Sequence, residues 1–461
     1  MTMGIAERSG EIIQQLSQFV TITRLGDLPV DVVKQAEIIL LDTIGAILAA
    51  SSPRYSAGRI LHEFVRQQGG TPECTLIGTM DRTSAVNAAL VNGTLGYYCD
   101  IESHHPRAIL HAAAITVPTV LAIAEREGRS GADLLTALVL GIDMGCRVSN
   151  AIGPTAMYDR GQHPTAIAGG FASSTAAGYL LRLDPAAMQR AWGLTGTQAS
   201  GLLAWENDDT ENSRPFNPGI AARNGTTAAL LASLGFGGPP DIFDGKFNVL
   251  DAFGEMPNRG ELVDDLGERF LINELAIKRY ASCAFTHPGL DGLDEIMAEQ
   301  QLTAGDIEAI RLRFPRSGVK LIDNNHLRSH NAQYVLPIYA LEGKVGIDDI
   351  LYDRRGEPAI AAMTAKVQVF ADDELDLEFP DHYTSIVEVD SRGSTYTRRI
   401  TYAKGCPENP VSAADVESKF RWLAGSIADS TRVDQIMETV YSISTATTVD
   451  DLIGLLRCEQ E

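Results

Sequence analysis

The sequence predicts a mainly α protein: a large all-helical domain, completed by C-terminal helices, with a smaller α+β domain inserted before them. Three observations carry this. Apolar residues recur at three-to-four spacing from the start to about residue 236, apolar–polar alternation enters only after about residue 270, and helical text returns from about Ser412 to Arg457. A chain of 461 residues is too long for one core and suits two. The expected division sets 1–270 and 405–461 against 271–404.

The helical part opens with Glu11–Val20, Val32–Leu48, Ala57–Val65 and Ala85–Tyr98, each with one apolar stripe. Ser130 followed by Asp133 reads as a capping box, and Asp184-Pro185 places an N-cap before a proline in the first turn. Thr165–Gly178 and Ala221–Ser233 are lined with Ala, Gly, Ser and Thr, which predicts helices in close approach. Gly235, Gly237 and Gly238 with Pro239 and Pro240 then stop the pattern. Beyond it, Ile307–Phe314 and Lys366–Phe370 alternate as strands do, and Thr384–Val389 and Thr395–Tyr402 flank Ser391-Arg392-Gly393-Ser394 as a hairpin would. His287–Met297 and Ala332–Leu341 read as helices between the strands.

Composition removes several function classes. Lys plus Arg number 38 against 60 Asp plus Glu, a net charge of −22, which argues against nucleic-acid binding and obliges any anion site to gather its own cations. The six cysteines lack CxxC spacing, so neither a zinc site nor a disulfide framework is expected, and a reducing cytoplasm fits. The longest apolar stretch, Leu134 to Met144, is interrupted by Asp143 and falls short of a membrane span, and no leader is read at the start. GxGxxG, P-loop and GxSxG motifs are missing, which leaves acid–base chemistry on an anion as the remaining reading.

Four segments could carry that chemistry. In Cys99-Asp100-Ile101-Glu102-Ser103-His104-His105-Pro106, with His111 beyond, imidazoles stand beside carboxylates, a natural source of a general acid or base. Adjacent histidines seldom share one metal, and no metal site is expected; a solvated loop is the bland alternative. His163 precedes a small-residue helix whose N-terminus could receive an anion, and it also reads as a cap. Arg214, again just before a helix, offers a planar fork to a carboxylate or is an ordinary surface arginine. Lys278 and Cys283 lie near the expected junction of the domains; Cys283 is a nucleophile only if its neighbours lower its pKa, and otherwise an inert thiol. Tyr334 places a phenol in the same region or in the core.

Taken in order, NGTLGYYCDIESHHP with LHAAA, GQHPTAIAGGFASSTAAGYLLRLD, LTGTQASGL, SRPFNPGIAARNG and IKRYASCAFTHPGLDGL resemble the MmgE/PrpD family, from about residue 10 to the C-terminus. The family includes 2-methylcitrate dehydratase, cis-aconitate decarboxylase and iminodisuccinate epimerase. The resemblance implies a helical domain carrying an α+β lid, a homodimer, and a metal-free and cofactor-free active site in the cleft between domains. It implies that Asp100, His104, His111, His163, Lys278, Cys283 and Tyr334 are catalytic, and that Arg214, Lys278 and His104 bind a small polycarboxylate substrate. Three positions depart from the decarboxylase-like pattern: Arg214 stands where Lys is usual, His104 where Thr is usual, and Cys283 where the animal decarboxylases have His.

On this reading Arg214 and Lys278 hold substrate carboxylates, His111 or His163 moves the proton, Asp100 orients a neighbouring imidazole, and Tyr334 acts from the opposite face. A lyase, dehydratase or decarboxylase, is the leading expectation. An epimerase of an aspartate-derived dicarboxylate such as iminodisuccinate is the runner-up, and a non-catalytic anion- or partner-binding relative is the alternative from another class. An iron–sulfur hydratase would need three converging cysteines, which the spacing does not suggest.

Overall fold

Helix Pro164–Leu180 is buried along its whole length. A helix is enclosed on every side only if its neighbours come close, and the Ala, Gly, Ser and Thr of this segment supply the required small profile. At Gly225 of helix Ser213–Ser233 an added Cβ would lie 2.4 Å from the Gly170 carbonyl oxygen. At Gly219 of the same helix it would lie 2.0 Å from Thr94 Oγ1 in helix Ala85–Tyr98. The hydroxyls in this interface are satisfied: Ser173 Oγ donates to the Ala222 carbonyl at 2.7 Å, so burying it carries little penalty.

In the computed structural model, which describes residues 10–459, these helices belong to the first of two units. That unit comprises the described residues up to Tyr98, Glu102–Leu275 and those from Ser412 onward. Its early helices are Glu11–Ile22, Val30–Ala50 and Ser56–Gln68. Ser130 Oγ accepts from Asp133 N at 3.1 Å, and Asp184 Oδ1 accepts from Ala187 N at 2.7 Å ahead of Pro185, so both start signals act as caps. The unit is not helical throughout, because Cys74–Thr75 pairs antiparallel with Arg82–Thr83. Strands of two residues are too short to leave an alternating signature.

Helix Gly131–Ile152 is long and apolar enough to cross a membrane, which the stretch Leu134–Met144 did not reveal; its apolar window is wholly buried inside the unit, as in a core helix. Its polar pair explains its place. Arg147 Nε donates to Asp143 Oδ2 at 2.6 Å, and the guanidinium also donates to the carbonyls of Asp264 at 2.8 Å and Arg269 at 3.0 Å. Asp143 accepts from Leu271 N at 3.0 Å. Burial pushes the Asp143 carboxyl upward in pKa while Arg147 and that amide oppose the shift. The pair thereby fastens the irregular segment around 264–271 to the core.

The C-terminal tail forms helices Ala413–Ala424, Ser430–Tyr441 and Asp450–Leu455. Ser412 and Asp415 close a capping box at its start. Ala413–Ala424 packs on Val30–Ala50, where Lys419 Nζ lies 2.6 Å from the buried Asp42 carboxylate. The tail therefore completes the helical unit.

The second unit comprises Cys99–Ile101 and Ala276–Val411. Its sheet runs in the order Val367–Asp372, Ile307–Pro315, Ser385–Ser391, Ser394–Ile400; the first pair is parallel and the other two are antiparallel. Arg392 (φ 53°) and Gly393 (φ 72°) form the two-residue hairpin loop, both in the left-handed region that such turns require. Helices His287–Gln300 and Ala332–Glu342 accompany the sheet. Nothing in the sequence pattern anticipates that Cys99–Ile101, so far upstream, belongs with this unit.

Candidate active site

The polar segment after helix Ala85–Tyr98 is held by its own backbone. His105 N donates to the Leu110 carbonyl at 2.8 Å and Leu110 N donates back at 3.3 Å. Within this loop Ala108 N donates to His105 Nδ1 at 3.1 Å, and Ser149 Oγ donates to the Ala108 carbonyl at 2.7 Å. Ile109 has φ 46°, a left-handed conformation that costs a β-branched residue strain, and the surrounding bonds hold it there. His105 Nε2 lies 3.4 Å from Glu274 Oε2, so both ring nitrogens of this buried histidine serve the scaffold. His104 parts from it: its ring stacks on His111 at 5.7 Å.

His111 sits at the N-cap of helix Ala112–Glu127. Its backbone N–H donates to Thr165 Oγ1 at 3.4 Å, the edge contact with Tyr97 is 4.4 Å between centroids, and its Nδ1 lies 2.6 Å from Glu102 Oε1. Glu102 has no exposed surface. Glu102, which sequence reasoning did not single out, thus sets a carboxylate against the His111 ring.

His163 caps helix Pro164–Leu180, with Pro164 in its first turn, and its backbone N–H donates to the Gly201 carbonyl at 3.1 Å. The ring is 3% exposed and lies 5.7 Å from Trp205. Burial, reinforced by the charges of His111 and Arg214, lowers its pKa to about 3, with a hydrogen bond to Asn217 working the other way. The imidazole is therefore neutral near pH 7. Among the described residues its buried Nδ1 has no hydrogen-bond partner.

Arg214, in the first turn of helix Ser213–Ser233, is buried rather than a surface arginine. Its guanidinium lies 5.0 Å from the Tyr97 ring and 5.9 Å from that of Trp205, and Nη2 donates to Glu211 Oε2 at 3.2 Å. Two aromatic faces and one carboxylate thus hold the charge inside. Of the residues expected from sequence, His104, His111, His163 and Arg214 gather in the first unit.

Asp100 and Lys278 meet in the second. Lys278 Nζ donates to the Asp100 carboxylate and, at 3.3 Å, to its carbonyl; both side chains are buried. Asp100 has φ 50°, a conformation its short polar side chain tolerates. Cys283 is half-buried and its N–H donates to the Ser329 carbonyl at 2.9 Å. Tyr334 is buried, and its hydroxyl donates to the Asp349 carbonyl at 2.7 Å, the contacts of a core tyrosine. Sequence reasoning missed Glu102, Tyr97, Glu211 and Trp205 as site residues. Glu211 had a signal in its three-residue spacing from Arg214, whereas Trp205 had none.

Comparison with known proteins meets this arrangement from another side. The chain is 26% identical to a cis-aconitate decarboxylase-like protein of Aspergillus oryzae, over 100% of both chains. It is 25% identical to the cis-aconitate decarboxylase of Aspergillus terreus, over 94% of this chain and 93% of that one. Against the human cis-aconitate decarboxylase the identity is 25%, over 94% and 92%. Residues 14–260 match the MmgE/PrpD N-terminal domain, including the whole histidine and arginine cluster, and residues 280–443 match the MmgE/PrpD C-terminal domain. With both halves of the pattern present in order, the chain belongs to the MmgE/PrpD family.

Proposed function

We propose that this chain is a lyase that moves a proton at a carbon next to a carboxylate of a small di- or tricarboxylic acid. The observation that carries the reading is the gathering of His104, His111, His163 and Arg214 in one neighbourhood of an otherwise strongly acidic protein. The decarboxylase relatives support it.

The roles divide by protonation. His163, neutral near pH 7, acts as a hydrogen-bonding group at a helix N-terminus; His111 carries the proton. Arg214 binds a substrate carboxylate through its planar fork, and guanidinium does not deprotonate, so it supplies charge and no proton. His104, stacked on His111, is a second donor to the substrate. Lys278 is retained as a carboxylate-binding cation, with Asp100 as its counter-charge. Tyr334 is left out of the proton steps, since its hydroxyl already serves the Asp349 carbonyl.

In a decarboxylation the bond to the departing carboxylate breaks, its electron pair stays on the carbon, and the His111 imidazolium protonates that carbon as CO2 leaves. In a dehydration the neutral His111 removes the proton and hydroxide leaves from the adjacent carbon. Both routes develop negative charge beside a carboxylate, and fixed cations stabilise it most when they need no rearrangement.

Turnover of cis-aconitate, citrate and 2-methylcitrate is the test. His111→Ala and Lys278→Met are each expected to lower turnover at least about 100-fold, the usual worth of a general acid or a charge contact in the transition state. Circular dichroism should be unchanged. Undiminished turnover in both variants would overturn the reading.

A further inference from the structure

We propose that Glu102 is the positioning residue of this site, fixing the His111 ring so that Nδ1 carries the proton shared with the carboxylate and Nε2 faces the substrate. The proposal rests on the assignment of His111 as the proton carrier. The approach is that of a close ion pair with a buried carboxylate. Glu102 Oε1 lies 2.6 Å from His111 Nδ1, and a carboxylate with no exposed surface has surrendered its hydration, which a buried charge does only against a compensating partner. Adjacent His105 supplies an internal contrast, since its Nδ1 accepts from Ala108 N and both its nitrogens belong to the scaffold.

The rest of the surroundings restricts the ring without dictating its tautomer. Tyr97 meets it edge-on at 4.4 Å and His104 stacks at 5.7 Å, contacts that fix its plane. The loop closed by His105 and Leu110, with Ile109 at φ 46°, fixes where His111 enters its helix. Other charged or titratable groups near this neighbourhood include His163, which feels the charges of His111 and Arg214, and Glu211, which pairs with Arg214. Of these contacts, the Glu102 carboxylate is the one that can choose between Nδ1–H and Nε2–H and so decide which nitrogen is presented for chemistry.

Two consequences follow. A neutral His111 held this way is always in the tautomer that can take a proton at Nε2, and the imidazolium is stabilised once it forms. Glu102→Gln keeps the shape and removes the charge, so the amide can donate to Nδ1 and reverse the tautomer. With cis-aconitate as probe, kcat is expected to fall about 100-fold or more with KM changed less than about threefold, since a wrong tautomer affects proton transfer and not carboxylate binding. The pH limb assigned to His111 should move to lower pH, because the carboxylate favours the protonated ring. Glu102→Asp should recover part of the rate.

The readout that does not depend on turnover is ring-nitrogen NMR of histidine-labelled full-length protein, with His111 identified by loss of its signal in His111→Ala. The wild type is expected to show the Nδ1–H form, and Glu102→Gln to lose it. A wild-type His111 in the Nε2–H form, or Glu102→Gln with unchanged kcat and pH limb, would overturn the proposal. If His111→Ala keeps full turnover, the assignment of the proton carrier fails instead, and the tautomer measurement still decides the Glu102 contact.

Discussion

The half-buried Lys419 and the buried Asp42 form an ion pair, Nζ to Oδ1 2.6 Å, that ties the C-terminal helix Ala413–Ala424 to helix Val30–Ala50. Removing the lysine withdraws an ammonium from a buried carboxylate, and the cost of breaking a fully buried pair, about 3–5 kcal/mol, is the upper bound here. Lys419→Met should therefore lower Tm by several degrees, and the double variant Asp42→Asn with Lys419→Met should regain part of the loss. Scanning calorimetry of the three proteins checks this; an unaltered Lys419→Met would show the tail to be held by apolar packing alone.

Close helix approach at Gly225 makes a second prediction. A methyl group there meets the Gly170 carbonyl oxygen at 2.4 Å, and neither backbone can yield without moving a helix. Gly225→Ala is expected to cost about 1–3 kcal/mol or more by overpacking. Gly237→Ala, with nothing within 4 Å of the new Cβ, should stay within about 0.5 kcal/mol of the parent. Thermal unfolding of both variants side by side is the measurement.

His163 predicts a pH dependence of stability. Its folded pKa of about 3 lies below the ordinary 6.5, so between those values the unfolded chain binds a proton that the folded chain refuses. The sign follows: this contribution is fully present above pH 6.5 and is lost as pH falls toward 3. His163→Gln should show a shallower decline of Tm between pH 7 and pH 4 than the parent. Parallel declines would mean that the ring is protonated in the fold.

Much of this architecture was legible because the signals were local. The caps at Ser130 and Asp184, the hairpin at Arg392-Gly393 and the helix Ala85–Tyr98 each depend on residues within a few positions of one another. Helix Pro164–Leu180 could be recognised only by its small side chains, because a helix buried all round has no polar face and so no stripe. The site was legible as a list of residue types and not as a set of pairs. Asp100 and Glu102 stand two residues apart, and the contacts Asp100–Lys278 and Glu102–His111 follow from no spacing in the sequence. Trp205 reaches Arg214 and His163 through a fold contact that no spacing announces.

The central claim, that His111 moves a proton to or from a carbon beside a carboxylate, is tested most directly by deuterium. Wild-type protein and His111→Ala would be incubated with cis-aconitate, citrate, 2-methylcitrate and aspartate-derived diacids in heavy water and followed by NMR. The account predicts carbon-bound deuterium in at least one acid or its product with the wild type, and none above background with His111→Ala. Deuterium entering equally with both proteins, or with neither across the whole panel, would contradict it.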